Sequence, residues 1–357
     1  MAILWINLIV VYISSLFARY FSYPKAQGIP FVKPNKLFLF FSLACLVLIS
    51  GLRNNIGDTF MYMHSYANKD FSLQNIEFKG DFGFNIFQGI LQSISKDPQF
   101  LIFTTALISN LLIVLVLIKF SRMIELSLYV YITSGMFTVS MNGIRQFLAA
   151  TIIFCATKYL LNGEFKKYLI IILVTSTIHT SALVLLPIYF IVRREAWTKI
   201  TFILLALAVL IVMGFNQFSE ILFSALEDTQ YGHYSSFSEG GANIIRVMVD
   251  SVPVIIAYLG RDKLRQLWPK SDYIVNLSII SLTFMLIATQ NWIFARFNIY
   301  FSLYNLILIS WIVYLFKESN RKFIYYSLLV CYFIYFFYEQ VISLGIYYKS
   351  DYLIFVN

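Results

Sequence analysis

The amino-acid sequence predicts an all-α, polytopic integral membrane protein: a bundle of about twelve transmembrane helices, in a range of about 11–14, with short or re-entrant helices around an outward-facing cavity. Three observations predict it. Hydrophobic residues make up 59% and charged residues 13% of the 357 residues, and the mean hydropathy is +0.75, more apolar surface than a soluble core can bury. Apolar runs approaching or reaching the ~20 residues that a helix needs to cross a ~30 Å hydrocarbon core recur along the chain, among them 100–118, 200–215 and 323–338. Strictly alternating segments of about ten residues, the mark of a membrane barrel, do not recur.

The elements follow in order. Residues 2–20 lack the basic start and small-residue cleavage site of a secretory signal and read as a retained first helix. A second span covers 35–52. Residues 53–97 form an external loop, within which 82–95 carries Asn85, Gln88 and Gln92 and is too short to cross, so it is interfacial or re-entrant. Spans at 98–118, 126–141 and 144–161 come next. The run 168–192 is interrupted by His179 and Pro187 and followed at once by Arg193 and Arg194, which fits two short antiparallel segments, 168–178 and 180–192. After a span at 200–216, residues 217–241 make a second external loop, a lid with Gly240-Gly241 as its hinge. Spans at 242–260, 272–288, 292–314 and 323–345 complete a single membrane domain, 1–357.

Charge orients the bundle. The formal net charge is +9, but the basic residues lie in short loops between spans, which excludes a nucleic-acid patch and marks topology. Of the 27 Lys and Arg, only Arg53, Lys69, Lys79, Lys96, Arg145, Arg246, Arg296 and Lys349 fall on one face. The other face is therefore cytoplasmic, and both termini are external. Four of the exceptions are arginines at span ends: Arg53, Arg145, Arg246 and Arg296. A guanidinium keeps its charge in poorly hydrated surroundings and presents a fork of donors to phosphate oxygens; the alternative is snorkelling, or pairing with Asp58, Glu239 or Asp250. Cys45, Cys155 and Cys331 sit singly in apolar runs without a C-x-x-C, so neither a disulfide framework nor a metal site is implied. No P-loop, G-x-G-x-x-G, H-E-x-x-H or G-x-S-x-G is present, and no stretch outside the spans is long enough for a soluble catalytic domain.

An ordered set of motifs carries a resemblance. Arg53, Gly57, Asp58 and Tyr62 match R-x-x-x-G-x-D-x-x-x-Y after an early span; Arg145-Gln146 with Ala149 and Ala150 matches R-Q-x-x-A; His179, Ser181, Ala182 and Leu183 match H-x-S-A-L; Arg296 and Tyr300 form R-x-x-x-Y. Over most of its length, and in this order, the chain resembles the EpsG-like proteins, which belong with the Wzy-type polysaccharide polymerases. Where many relatives carry a glutamate before a Gly-Phe or Leu-Phe pair, this chain has Asp81-Phe82-Gly83-Phe84.

The resemblance implies an enzyme of the bacterial inner membrane that joins oligosaccharide repeat units carried on undecaprenyl pyrophosphate at the outer face, without a metal or other cofactor. Neighbours of such an enzyme are a flippase and a chain-length regulator. As the bond to pyrophosphate breaks, fixed arginines stabilise the charge that develops; Arg145 and Arg296 come first, Arg53 and Arg246 next. His179 and Asp58 are the candidates for a general base or its partner, because imidazole titrates near neutral pH. Tyr62, Asp81, Gln146 and Tyr300 are assigned to substrate binding. Two other classes stay open: a flippase or transporter of lipid-linked oligosaccharide, and a membrane O-acyltransferase acting on sugars with His179 as base.

Overall fold

The computed structural model describes residues 1–24, 32–72, 74–225 and 240–353. They are almost entirely helical; the one sheet among the described residues is a two-residue antiparallel pairing of Tyr23 with Lys33 and Pro24 with Val32. The chain forms two compact units, Met1–Tyr189 with Ile309–Asn357, and Phe190–Leu308.

The first unit opens with α1 (Ala2–Tyr20) and α2 (Lys36–Gly51), followed by α3 (Thr59–Asn68), α4 (Phe82–Ile94) and α5 (Pro98–Phe120). Next come α6 (Ile124–Thr133), α7 (Met136–Asn142), α8 (Ile144–Cys155), α9 (Thr157–Asn162) and α10 (Phe165–Ile178), then a 3-10 turn, Thr180–Val184, and the start of α11 (Leu185–Val192). The second unit holds α12 (Lys199–Met213), α13 (Phe215–Ala225), α14 (Ile244–Leu259), α15 (Arg261–Leu267), α16 (Ser271–Ala288) and most of α17 (Ile293–Ile312). The chain returns to the first unit with α18 (Glu318–Phe336), prolonged by a π-helical turn, Phe337–Ser343.

Local chemistry sets the ends. The side chains of Asn35 and Asp97 cap α2 and α5 by accepting the Leu37 and Gln99 amides, and Pro98 opens α5 where its missing N–H is no loss. Inside the first unit α1 packs on α2 and α6, and α5 on α2 and α8. Short polar side chains join these apolar helices: the Ser14 and Ser42 hydroxyls lie 2.9 Å apart, Asn110 Nδ2 donates to Ser50 Oγ at 3.0 Å, and Tyr131 donates to Asn110 Oδ1 at 3.2 Å. In a bilayer such bonds favour one helix arrangement because lipid offers no competing partner.

Among the described residues six helices are long and apolar enough to cross a membrane, and four shorter apolar helices accompany them. The protein is thus an all-α, multi-pass membrane protein. Several spans are broken where the sequence reads as continuous: 126–141 divides at Ser134-Gly135, with Gly135 at φ 85°, and 144–161 divides at Ala156. The break at His179 is where the sequence predicts it. Segment 82–95 is the 13-residue α4, about 20 Å long and too short to span. Two stretches expected as loops are partly helical. Residues 59–68 form α3, since Tyr62 and Tyr66, one turn apart, turn one face onto the buried cluster of Phe84, Leu91, Leu101, Ile102, Ile144 and Leu148. Residues 217–225 continue α13. The remainder of the expected lid, with Tyr231, His233, Tyr234 and Glu239, lies outside the described residues. Its base is anchored: Ala242 N–H donates to Ala288 O at 2.7 Å, and Trp292 N–H to Gly240 O at 3.2 Å.

Candidate active site

Asp81 is the junction of the site. It stands at the N-terminus of α4 with its side chain 8% exposed. Oδ2 accepts from Arg145 Nη1 at 3.1 Å and from His179 Nδ1 at 2.8 Å. Oδ1 accepts the Thr180 backbone N–H at 2.9 Å and the Thr180 hydroxyl at 3.1 Å. Burial works to raise the carboxyl, but the hydrogen bond and charge of His179, the Thr180 amide and the Arg145 charge outweigh it and hold Asp81 below the usual carboxylate range. An ionised carboxylate only accepts hydrogen bonds, so Nδ1 of His179 donates to Asp81, and Nε2 is the ring nitrogen that this bond does not use.

The local sequence brings these groups together. His179 takes extended backbone, φ −152° and ψ 115°, which stops α10 at Ile178 and starts the 3-10 turn that presents the Thr180 amide. Gly83 lets α4 approach: a Cβ there would lie 2.1 Å from Thr177 Oγ1 and 2.9 Å from the Thr177 carbonyl carbon. Only a glycine allows the two helices to meet so closely, and Asp81, two residues earlier, then reaches His179. Arg145 opens α8 with its side chain 43% exposed. Its Nε donates to the Tyr62 hydroxyl at 3.3 Å, and its guanidinium lies 5.8 Å from the Tyr62 ring centroid.

Beside this cluster opens a cavity of 690 Å³, bounded by Asp58, Tyr62, Lys69, Asn85, Gln88 and Arg145 among others. Its mixed charges, amides and aromatic rings suit hydroxyl-rich ligands.

The R-x-x-x-G-x-D segment has a different task from the one its charges suggest. Arg53 is 1% exposed. Its fork is spent inside the protein: Nε donates to Thr59 Oγ1 at 2.9 Å, Nη2 to Met141 O at 2.7 Å and Nη1 to Ser50 O. Those carbonyls belong to helix ends, where backbone acceptors lack intrahelical donors. The alternative pairing of Arg53 with Asp58 is not formed, and Asp81 rather than Asp58 holds His179. Asp58 is exposed on the cavity wall, its backbone N–H bound to Asn142 Oδ1 at 3.0 Å. Ile56 and Gly57 turn the loop with φ of 76° and 54°. At Gly57 a Cβ would lie 2.2 Å from Asn142 Oδ1, so both the backbone angle and the space demand glycine. The segment after α18 completes the seating: Asn54 N–H donates to Lys349 O at 3.0 Å, Lys349 N–H to Asn55 Oδ1 at 2.7 Å, and the Tyr348 hydroxyl to Ile49 O at 2.9 Å.

Gln146 is 6% exposed and turns into the bundle with Ala149 and Ala150, away from the cavity lining. The remaining candidates belong to the second unit. Arg296 is exposed, with its guanidinium 4.5 Å from the Trp292 ring centroid, whereas Tyr300, one turn further along α17, is 1% exposed. Arg246 lies one turn before Asp250 on α14. Sequence reasoning missed Thr180, which occupies the unspecified position of H-x-S-A-L and gives Asp81 two of its four bonds, and Asn142, which seats Gly57.

These features define a class: a multi-pass helical membrane protein that holds a carboxylate–imidazole pair and an arginine beside a polar cavity. Its family follows from the sequence as a whole. The family model of EpsG matches residues 36–350, most of the chain, and the chain belongs to the EpsG family, a Wzy-type polymerase-like family. That membership gives it a polysaccharide-polymerase-like role in the membrane. The chain has no match among curated proteins and none among solved structures.

Proposed function

We propose that the protein polymerises oligosaccharide repeat units carried on undecaprenyl pyrophosphate, by inverting glycosyl transfer at the outer face of the bacterial inner membrane. The observation that carries the reading is the Asp81 junction, whose one carboxylate ties His179 to Arg145, and Arg145 lines the cavity. In the reaction, His179 Nε2 takes the proton of the acceptor sugar's hydroxyl while that oxygen attacks the anomeric carbon of the growing chain. The bond from that carbon to the pyrophosphate oxygen breaks, and its electron pair leaves with the pyrophosphate. Asp81 keeps the imidazole oriented and stabilises the imidazolium that forms. Arg145 is the group we assign to the developing phosphate charge; Arg296 and Arg246, which belong to the second unit, are proposed for phosphate binding from the family resemblance alone. Asp58, Tyr62, Asn85 and Gln88 are assigned to the acceptor sugar. Arg53 and Gln146 act by positioning: one seats the loop that carries Asp58, the other packs α8 behind Arg145.

The end of the first unit that faces outward is inferred from charge. Helix α5 has 23 residues, about 35 Å at 1.5 Å per residue. Its start lies beside Arg53, through the Gln99 amide on Gly51 O at 2.6 Å, and its end beside Arg122, whose N–H donates to Ser310 Oγ at 3.0 Å. The second end collects Arg19, Arg122, Arg321 and Lys322, as the cytoplasmic side should.

The test is polymer laddering on a stained gel from a strain lacking the gene, complemented at matched membrane expression. Wild type restores long chains; His179→Ala, Arg145→Ala and Arg296→Ala leave single repeat units. Full ladders from both His179→Ala and Arg145→Ala would overturn the assignment of roles.

A further inference from the structure

At the end of the first unit away from Asp81, a second cavity of 310 Å³ opens between α1, α18 and the start of α6. Its wall combines three cations, Arg19, Arg321 and Lys322, with Tyr314, Leu16 and Met123, and no acid among the described residues lines it. The nearest buried carboxylate, Glu125, is already engaged in an ion pair with Arg19. Tyr314 gathers further charge: the guanidiniums of Arg122 and Arg321 lie 4.7 and 5.1 Å from its ring centroid. Arg321 Nε is buried and finds no hydrogen-bond partner among the described residues. The cavity therefore joins an excess of positive charge to an apolar wall.

Its depth in the membrane is readable from the surroundings. Helix α1 ends and α18 begins beside it; Tyr326 in its lining is 62% exposed, and Tyr20 and Phe323, next in sequence to the lining residues Arg19 and Lys322, are 78% and 72% exposed. Tyrosines at the ends of spanning helices settle at the level of lipid headgroups. A pocket at that level and lined by cations meets phosphodiesters before any other anion.

We propose that this cavity binds the headgroup of an acidic phospholipid of the cytoplasmic leaflet, the phosphodiester meeting Arg321 and Lys322 and an acyl chain lying against Leu16 and Met123. A zwitterionic lipid is disfavoured because no carboxylate is present for its ammonium. The site is independent of the proposed chemistry at Asp81: it would hold α1, α6 and α18 together from the far side of the bundle.

The test uses the full chain purified in detergent. Its melting temperature is followed while phosphatidylglycerol, phosphatidylcholine or inorganic phosphate is added, for wild type, for the double variant Arg321→Ala/Lys322→Ala, and for Lys349→Ala as a basic residue at the other end. Phosphatidylglycerol is expected to raise the melting temperature of wild type and Lys349→Ala, with little effect from the other two additives. The double variant should melt normally in phosphatidylcholine yet need at least about tenfold more phosphatidylglycerol for half the shift. Equal shifts from the two lipids, an undiminished response of the double variant, or the same shift from inorganic phosphate would overturn the proposal. If the double variant does not fold, Lys322→Glu alone decides: an unchanged phosphatidylglycerol response rejects the site.

Discussion

Replacing Asp81 by Asn separates charge from shape at the centre of the site. The amide keeps the size of the carboxylate but exchanges one acceptor for a donor, and either orientation has a cost. With the NH2 toward Thr180, it meets the backbone N–H now bound at 2.9 Å and the hydroxyl at 3.1 Å. With the NH2 toward Oδ2's present partners, it faces Arg145 and forces His179 to accept at Nδ1, which moves the proton to Nε2 and removes the base. The His179–Asp81 contact, 15% and 8% exposed, is a charge-assisted bond worth about 1.5–3 kcal/mol. The Arg145 contact is discounted to about 0–1 kcal/mol because Arg145 is half in solvent. A stability loss of about 1–3 kcal/mol follows, a drop of a few degrees in Tm. Loss of an oriented base lowers the rate by about 10²–10⁴-fold, or about 3–5 kcal/mol of barrier. Laddering at matched membrane level, together with the melting temperature in detergent, reads both. Long chains made by Asp81→Asn at the wild-type rate would refute the reasoning.

Four other outcomes are expected. Gly83→Ala should lower Tm by the equivalent of about 1–3 kcal/mol, and Thr177→Ala should restore only part of it, since the Thr177 carbonyl carbon remains 2.9 Å from the new Cβ. Arg53→Lys should destabilise by about 1–3 kcal/mol, because a single ammonium cannot reach Thr59, Ser50 and Met141 together; thermal unfolding in detergent checks it. Truncation after Gly345 removes the bonds of Lys349 and Tyr348 to Asn54, Asn55 and Ile49, and should both lower Tm and abolish laddering. The pH response follows from Asp81, whose folded value is depressed below 3.8. Its contribution to stability is fully present above the unfolded value and is lost as pH falls through the folded one, so wild type should lose more Tm than Asp81→Asn only below about pH 4.

Much of the architecture is legible in the sequence because a bilayer imposes a length. The first span at 2–20 and the break at His179 follow from apolar runs and from polar or proline interruptions. The break at Gly135 is invisible, since a single glycine in an apolar run reads equally as packing. Helix α3 escapes notice because Phe60, Met61, Tyr62, His64 and Tyr66 mix polar and aromatic character, and only the tertiary contact of Tyr66 with α4 and α5 selects helix. At the site, the residue types are readable and their pairing is not. Arg53 looks as suited to phosphate as Arg145; what distinguishes them is that Arg53 is met by the backbone ends of α2 and α7, a fact of packing across 88 residues. Asp81 and Asp58 are likewise equivalent by sequence until Gly83 closes on Thr177 and gives His179 to Asp81.

The central claim is tested most directly by reconstituting the purified chain in liposomes with lipid-linked repeat units and no nucleotide sugar, then measuring chain length and released lipid pyrophosphate together. The account predicts that one lipid pyrophosphate is set free for each unit joined, in wild type and not in Asp81→Asn or His179→Ala. Repeat units that cross the bilayer without being joined, at equal rates in all three proteins, would contradict it.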